Sequence, residues 1–154
     1  MLFEKAVNQD IEQLTKLRLA YLTEDYGNLN KEELAIIERD LPDYFNKNLN
    51  KSIFAYIGRN EKEIVACALL LVIEKPMSPA FINGKTGTVL NVYTKPNCRH
   101  NGYAKKLISM LLDDAANMEL SVVELKATED GYSLYKSIGF NDVVSKYHQM
   151  EWRN

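Results

Sequence analysis

The 154-residue chain predicts an α/β fold of the α+β type: a mixed, mostly antiparallel central sheet flanked by helices. Three observations carry this expectation. Apolar stripes at helical spacing are interspersed with short β-rich runs. A hairpin signal, Arg59-Asn60-Glu61-Lys62, separates two such runs in mid-chain. Strand–helix–strand units fill the last third, and these require some parallel pairing.

Leu2 to Ala6 reads as a first strand. Asp10 is the expected N-cap of a helix from Ile11 to about Tyr26, whose stripe of Ile11, Leu14, Leu17, Tyr21 and Leu22 also contains Arg18. Gly27-Asn28 breaks the chain. Asn30 then caps a second helix from Lys31 to about Asn48, in which Pro42 predicts a kink or a split. Ser52 to Gly58 and Glu63 to Glu74 are the hairpin strands, and Pro76, Pro79 and Gly84 mark a loop. Gly87 to Thr94 is a strand ended by Pro96. The helix from Gly102 to about Met118 carries Ala104, Leu107, Ile108, Leu111, Leu112 and Ala115 on one face. Ser121 to Lys126 is a strand, Thr128 to Ile138 a short helix capped by Gly139, and Lys146 to Trp152 a last strand.

Length fits one domain over residues 1–154 with a substantial core. The formal net charge of −2 gives no global attraction to nucleic acid or to an anionic membrane. No long apolar run follows the N-terminal residues, and the longest one, Ile64 to Ile73, is too short to span a bilayer. Cys67 and Cys98 lack metal-site spacing, which argues against a zinc site or a disulfide and for a reducing, cytoplasmic setting. Cys67 falls in the apolar run and is expected in the core.

The junction between the strand ending at Thr94 and the helix from Gly102 is electrostatically inverted. Lys105 and Lys106 occupy the first turn, with Arg99 and His100 just before it, whereas Asp113 and Asp114 lie toward the far end. The helix dipole favours the opposite order by about 0.3–1 kcal/mol per charge. A multiply charged anion at that end removes the conflict, since first-turn N–H groups point outward and Gly102 permits close backbone approach. Arg99 supplies a fork for a phosphate and the lysines supply point charge. Solvated surface lysines around an ordinary turn are the plainer reading of this segment alone.

Arg99-His100-Asn101-Gly102-Tyr103-Ala104 resembles the R/Q-x-x-G-x-G/A signature of the GNAT-type N-acetyltransferase superfamily. Ala127 to Phe140 resembles that family's second motif, A-x-x-x-G-x-x-L-Y-x-x-x-G-F. The order of elements is similar as well. The resemblance implies a GNAT-like acyl-CoA N-acyltransferase fold with a parallel, splayed strand pair. It also implies acetyl-CoA as co-substrate with no metal, and transfer of an acetyl group to an amine. The pyrophosphate would lie on the N–H groups of Asn101, Gly102, Tyr103, Ala104 and Lys105, beside Arg99 and His100. The pantetheine arm would run along Val92, Tyr93 and Thr94, with Ser133 and Lys136 near the arm or the phosphates. A free N–H near Val92, at a bulge, would polarise the thioester carbonyl. A Rossmann reading finds Glu124 at the right distance but lacks the first glycine of that fingerprint.

Acetyl transfer moves two protons. The amine, with a pKa near about 10.4 if lysine-like, must lose one, and the leaving thiolate gains one. Tyr135 stands where the family often carries its general acid; a core tyrosine is the alternative. Tyr132 is the weaker candidate. The strand from Thr88 to Thr94 offers no carboxylate for a base, and Thr88 and Asn91 are at most holders of water. The acceptor side implied by the resemblance covers Tyr21 to Asn30 and Pro76 to Lys85. There Tyr21, Tyr26, Tyr44 and Phe81 would frame a pocket, and Glu24 and Asp25 would attract a cation. His100 is expected beside phosphate and His148 on the last strand. The expected acceptor is a primary amine of a small molecule, peptide or protein, without nucleic acid or membrane, in a monomer or homodimer. The missing carboxylate leaves a second reading, a catalytically weak acetyl-CoA-binding sensor or regulatory module.

Overall fold

The computed structural model describes residues 1–154. Its strands are β1 (Leu2–Lys5), β2 (Ile53–Asn60), β3 (Glu63–Glu74), β4 (Lys85–Thr94) and β5 (Val122–Glu124), in that spatial order. β1 to β4 pair antiparallel, and β4 and β5 pair parallel. The helices are α1 (Ile11–Tyr26), α2 (Lys31–Asn48), α3 (Tyr103–Asn117) and α4 (Glu129–Ile138).

The sheet separates two apolar layers. On one face, Leu14 and Leu17 of α1 and Phe45 of α2 pack over Ala55, Ile57, Cys67 and Leu69. On the other, Leu107, Ile108 and Leu111 of α3 are fully buried against Tyr56, Ala68, Leu70 and Val89. Removing such faces from water supplies roughly 25 cal/mol per Å² of apolar area. Tyr56 ends this layer with its hydroxyl donating to Asp114 Oδ2 (2.8 Å), which also pairs with Lys5 (2.5 Å). One of the acids that runs against the dipole of α3 is therefore a brace to the sheet.

Gly87 sits at the root of the parallel pair, opposite Val123. A Cβ there would lie 2.8 Å from Leu70 Cδ1 and 2.9 Å from Leu120 Cδ1. Only a residue without a side chain fits between these two leucines.

Several expectations are corrected. The second helix runs unbroken from Lys31 to Asn48 with Pro42 inside it. Asp10 is the N-cap residue of α1, as expected, but its side chain makes no capping hydrogen bond. Its carboxylate instead accepts from Val7 N–H (2.9 Å) and from the Arg59 guanidinium (2.7 Å), tying the entry to α1 to the second strand. Lys146 to Trp152 forms no strand, so His148 is not a strand residue. Residues 141–154 make no backbone hydrogen bond to the sheet, and Val144 is 97% exposed. A strand needs a neighbour's N–H and C=O groups, and this segment pairs with none.

Candidate active site

β4 and β5 stay paired only from Thr86↔Val122 to Thr88↔Glu124. Beyond Thr88 they diverge. On the other side of β4 the register against β3 shifts, with Leu90 opposite Leu69 and Tyr93 opposite Cys67, so Asn91 and Val92 share the single position facing Ala68. Asn91 takes φ of 51°, left-handed for a residue with a side chain. This is a β-bulge, and it turns the side chains of both Leu90 and Asn91 toward the α1 layer.

The bulge is held by a buried polar relay. Asn91 is 4% exposed. Its Nδ2 reaches Cys67 Sγ (3.3 Å), and its Oδ1 accepts from Arg18 of α1 (3.3 Å). Burial pushes the Cys67 thiol up to about 12, which keeps it protonated.

The opening between β4 and β5 is a cleft of about 560 Å³. Its walls are Thr88 to Val92, Glu124 to Thr128, the α1 residues Arg18, Tyr21, Leu22, Asp25 and Tyr26, and Tyr135 of α4. Tyr135 is pushed up to about 12, chiefly by burial and then by Tyr21. Its phenol stays neutral, a donor rather than an acceptor of charge. Tyr21 is raised too, first by burial and then by Asp25. Gly131 lies one turn before Tyr135, and a Cβ there would approach the Tyr135 ring to 2.9 Å. Phe140 flanks the ring edge-on at 5.9 Å. The glycine of the second motif thus makes room for the tyrosine.

At the end of β4 the chain turns through Pro96–Cys98 into α3. His100 and Gly102 both take left-handed φ, 64° and 74°. Gly102 caps α3 without any side-chain acceptor, no acid lies in the first turn, and the first helical N–H to return to the cap is that of Lys106. The N–H groups of Tyr103, Ala104 and Lys105 are therefore unpartnered, and nothing stands within 4 Å of where a Cβ of Gly102 would be. His100, Asn101, Lys105 and Lys106 are exposed there. This end has the donors, the space and the charge to hold a diphosphate.

Not every expected residue joins these two places. Arg99 donates to Thr94 O (2.9 Å) and to Glu24 (2.7 Å) and lies over the Tyr93 ring at 5.6 Å. That hydrogen bond holds the Glu24 carboxyl below its ordinary range, so Glu24 is committed to the loop rather than open to an amine. The Tyr93 side chain is buried beneath α1. Tyr132 and Lys136 turn to Asp142, at 2.7 and 3.4 Å, and Ser133 is exposed. Tyr44 packs beside Phe45, and Phe81 stacks under Lys75; neither lines the cleft. The sequence reading missed Arg18 as a cleft residue. The signal was there: one charge on an otherwise apolar helical stripe.

A bulged strand splayed from a parallel neighbour leads into a glycine-capped, basic helix start, the arrangement that the resemblance to the GNAT superfamily implies. The model of the acetyltransferase (GNAT) family matches residues 11–140, and the chain belongs to that family. A predicted acetyltransferase of Clostridium acetobutylicum, crystallised with acetyl-CoA, is 28% identical, with a TM-score of 0.84 over 97% of this chain and 95% of that one. A GCN5-related N-acetyltransferase of Ralstonia eutropha shares the fold at 24% identity, with a TM-score of 0.81 over 97% of each chain. So does a ribosomal-protein-alanine N-acetyltransferase of Brucella melitensis, at 21% and 0.68 over 98% of this chain and 100% of that one. No curated protein matches in sequence. No helix is long and apolar enough to cross a membrane.

Proposed function

We propose that the protein is an acetyl-CoA-dependent N-acetyltransferase that moves the acetyl group directly to a primary amine. The observation that carries this reading is the cleft itself, with the Asn91–Val92 bulge on one wall and the Tyr135 phenol on the other. Acetyl-CoA supplies the activated acyl group. The N–H groups of Asn101 to Lys105 hold the diphosphate, with His100 and Lys105 adding charge, and Arg99 stiffens the loop from behind through Glu24. The edge of β4 at Val92, Tyr93 and Thr94 takes the pantetheine amides, and Val92 N–H donates to the acyl carbonyl, where negative charge develops. Tyr135 is the general acid for the departing sulfur. Burial keeps the phenol protonated, so it is placed to donate a hydrogen bond to the sulfur as charge develops there when the C–S bond breaks. The attacking amine loses its proton to solvent water entering the open cleft; the Asn91 side chain, buried and engaged by Cys67 and Arg18, holds the bulge rather than that water.

Tyr135→Phe tests the role. The expected result is a fall in kcat of about 10²- to 10⁴-fold with unchanged affinity for CoA, read by thiol release and by calorimetry. Unchanged kcat removes Tyr135 from the chemistry. The absence of any carboxylate on β4 favours a second reading, a sensor that binds the coenzyme without turnover. Tight CoA binding with no thiol release across polyamines, aminoglycosides, amino acids and peptides would select it.

A further inference from the structure

The chain has five arginines, and four of them meet a carboxylate: Arg39 with Asp40, Arg59 with Glu4 and Asp10, Arg99 with Glu24, and Arg153 with Glu151. Arg18 is the exception, and it is the one that lines the cleft. It is half-buried, rests 5.8 Å from the Tyr21 ring centroid, and donates once, at 3.3 Å, to the neutral Asn91 Oδ1. A guanidinium has five N–H donors in a planar fork, so most of its capacity is unspent. Partial desolvation of an unpaired cation is unfavourable, and the natural remedy is an anion brought by a ligand.

We propose that Arg18 binds a carboxylate of the acceptor, and that the acceptor is therefore a free amino acid or a comparably small amino-carboxylate. The proposal rests on the N-acetyltransferase reading and adds the substrate class. Arg18 touches Asn91 within the bulge, next to the strand that positions the acyl group. A carboxylate on its fork and an amine attacking that group must be only a few ångströms apart, which an α- or β-amino acid satisfies and an internal lysine of a protein does not. The other charged residues of the cleft are Lys126, Asp25 and Glu124, all exposed; Asp25, two helical turns along the same face of α1, faces the acceptor's ammonium.

The experiment compares matched pairs, each an amino acid and its carboxamide, as acceptors for the wild type, Arg18→Met and Arg18→Lys. The amide's amine is the less basic, so intrinsic reactivity biases against the expected result. Wild type should favour the acids by roughly 10- to 100-fold in kcat/KM, Arg18→Met should bring that ratio toward one, and Arg18→Lys should restore part of it. A wild-type ratio near one overturns the proposal while leaving N-acetyltransfer intact, as does a ratio that Arg18→Met preserves. Absence of turnover on every pair overturns the amino-acid assignment, and the N-acetyltransferase reading falls with it only if polyamines, aminoglycosides and peptides also release no thiol. Should Arg18→Met fail to fold, the wild-type ratio and Arg18→Lys decide.

Discussion

The chain divides at Ala115. Every buried residue lies at or before it, and none lies in the following 39 residues. Yet those later residues supply β5, the far wall of the cleft and Tyr135. The earlier region is organised around two apolar layers that fix a strand and its bulge. The later one is hung on that frame by half-buried side chains such as Val123, Leu125, Tyr135, Ile138 and Phe140. The contrast shows a division of labour: burial is concentrated around the bulged strand, and the opposing wall is held by half-buried contacts.

The sharpest way to break this comparison is to cut the same kind of atom from both regions. Phe45→Ala, from a side chain 1% exposed, should cost about 3–5 kcal/mol of unfolding free energy. Leu134→Ala, on the half-buried α4, should cost well under half of that, both read by urea denaturation. Equal losses would erase the division.

Alkaline titration follows in size. Cys67 in the frame and Tyr135 in the wall are both raised to about 12 by burial, from ordinary values of 9.0 and 10.0. Each folded site prefers the neutral form, so its contribution is complete below the unfolded pKa. It is lost as pH climbs from there toward 12. At roughly 1.4 kcal/mol per unit, the thiol accounts for on the order of 4 kcal/mol over its window. Stability should therefore decline from near pH 9, and Cys67→Ala should remove the earliest part of that decline, whereas Tyr135→Phe should remove a part that begins near pH 10.

Gly131→Ala then separates stability from activity within the wall. Alanine suits a helix interior better than glycine by about 0.5–1 kcal/mol, but its methyl meets the Tyr135 ring. The melting temperature should hold or rise while kcat falls by roughly 10- to 100-fold. Smallest is Glu24→Gln. Its pair with Arg99 is half exposed, so stability should move by no more than about 1 kcal/mol, and a changed affinity for CoA would measure how far the pair stiffens the phosphate loop.

Local signals made most of the fold legible. Ile11–Tyr26, Lys31–Asn48 and Glu63–Glu74 have the bounds that caps, breaks and periodicity predict. The two motifs located the glycine-capped helix start and Tyr135. What escaped was non-local. Asp10 holds the N-cap position that the sequence predicts, but its carboxylate turns to Arg59 of the second strand. Glu24 reads as a free acid until the loop brings Arg99. Arg18 reads as an impurity in an apolar stripe, because only the fold shows that no carboxylate reaches it. Lys146 to Trp152 has the pattern of a strand, but it pairs with no neighbour, and pairing is not written in a local pattern.

Gly87 bears on the geometry of the cleft from a distance. The two strands that form the cleft touch most closely around it, with the Leu70 and Leu120 methyls filling the space a side chain would take. Any larger residue would act as a wedge at the apex of the opening, changing the angle between the arms while leaving every cleft residue in place. The reach from the bulge to the Tyr135 phenol is thus governed by how tightly the sheet closes on a single hydrogen atom at its base.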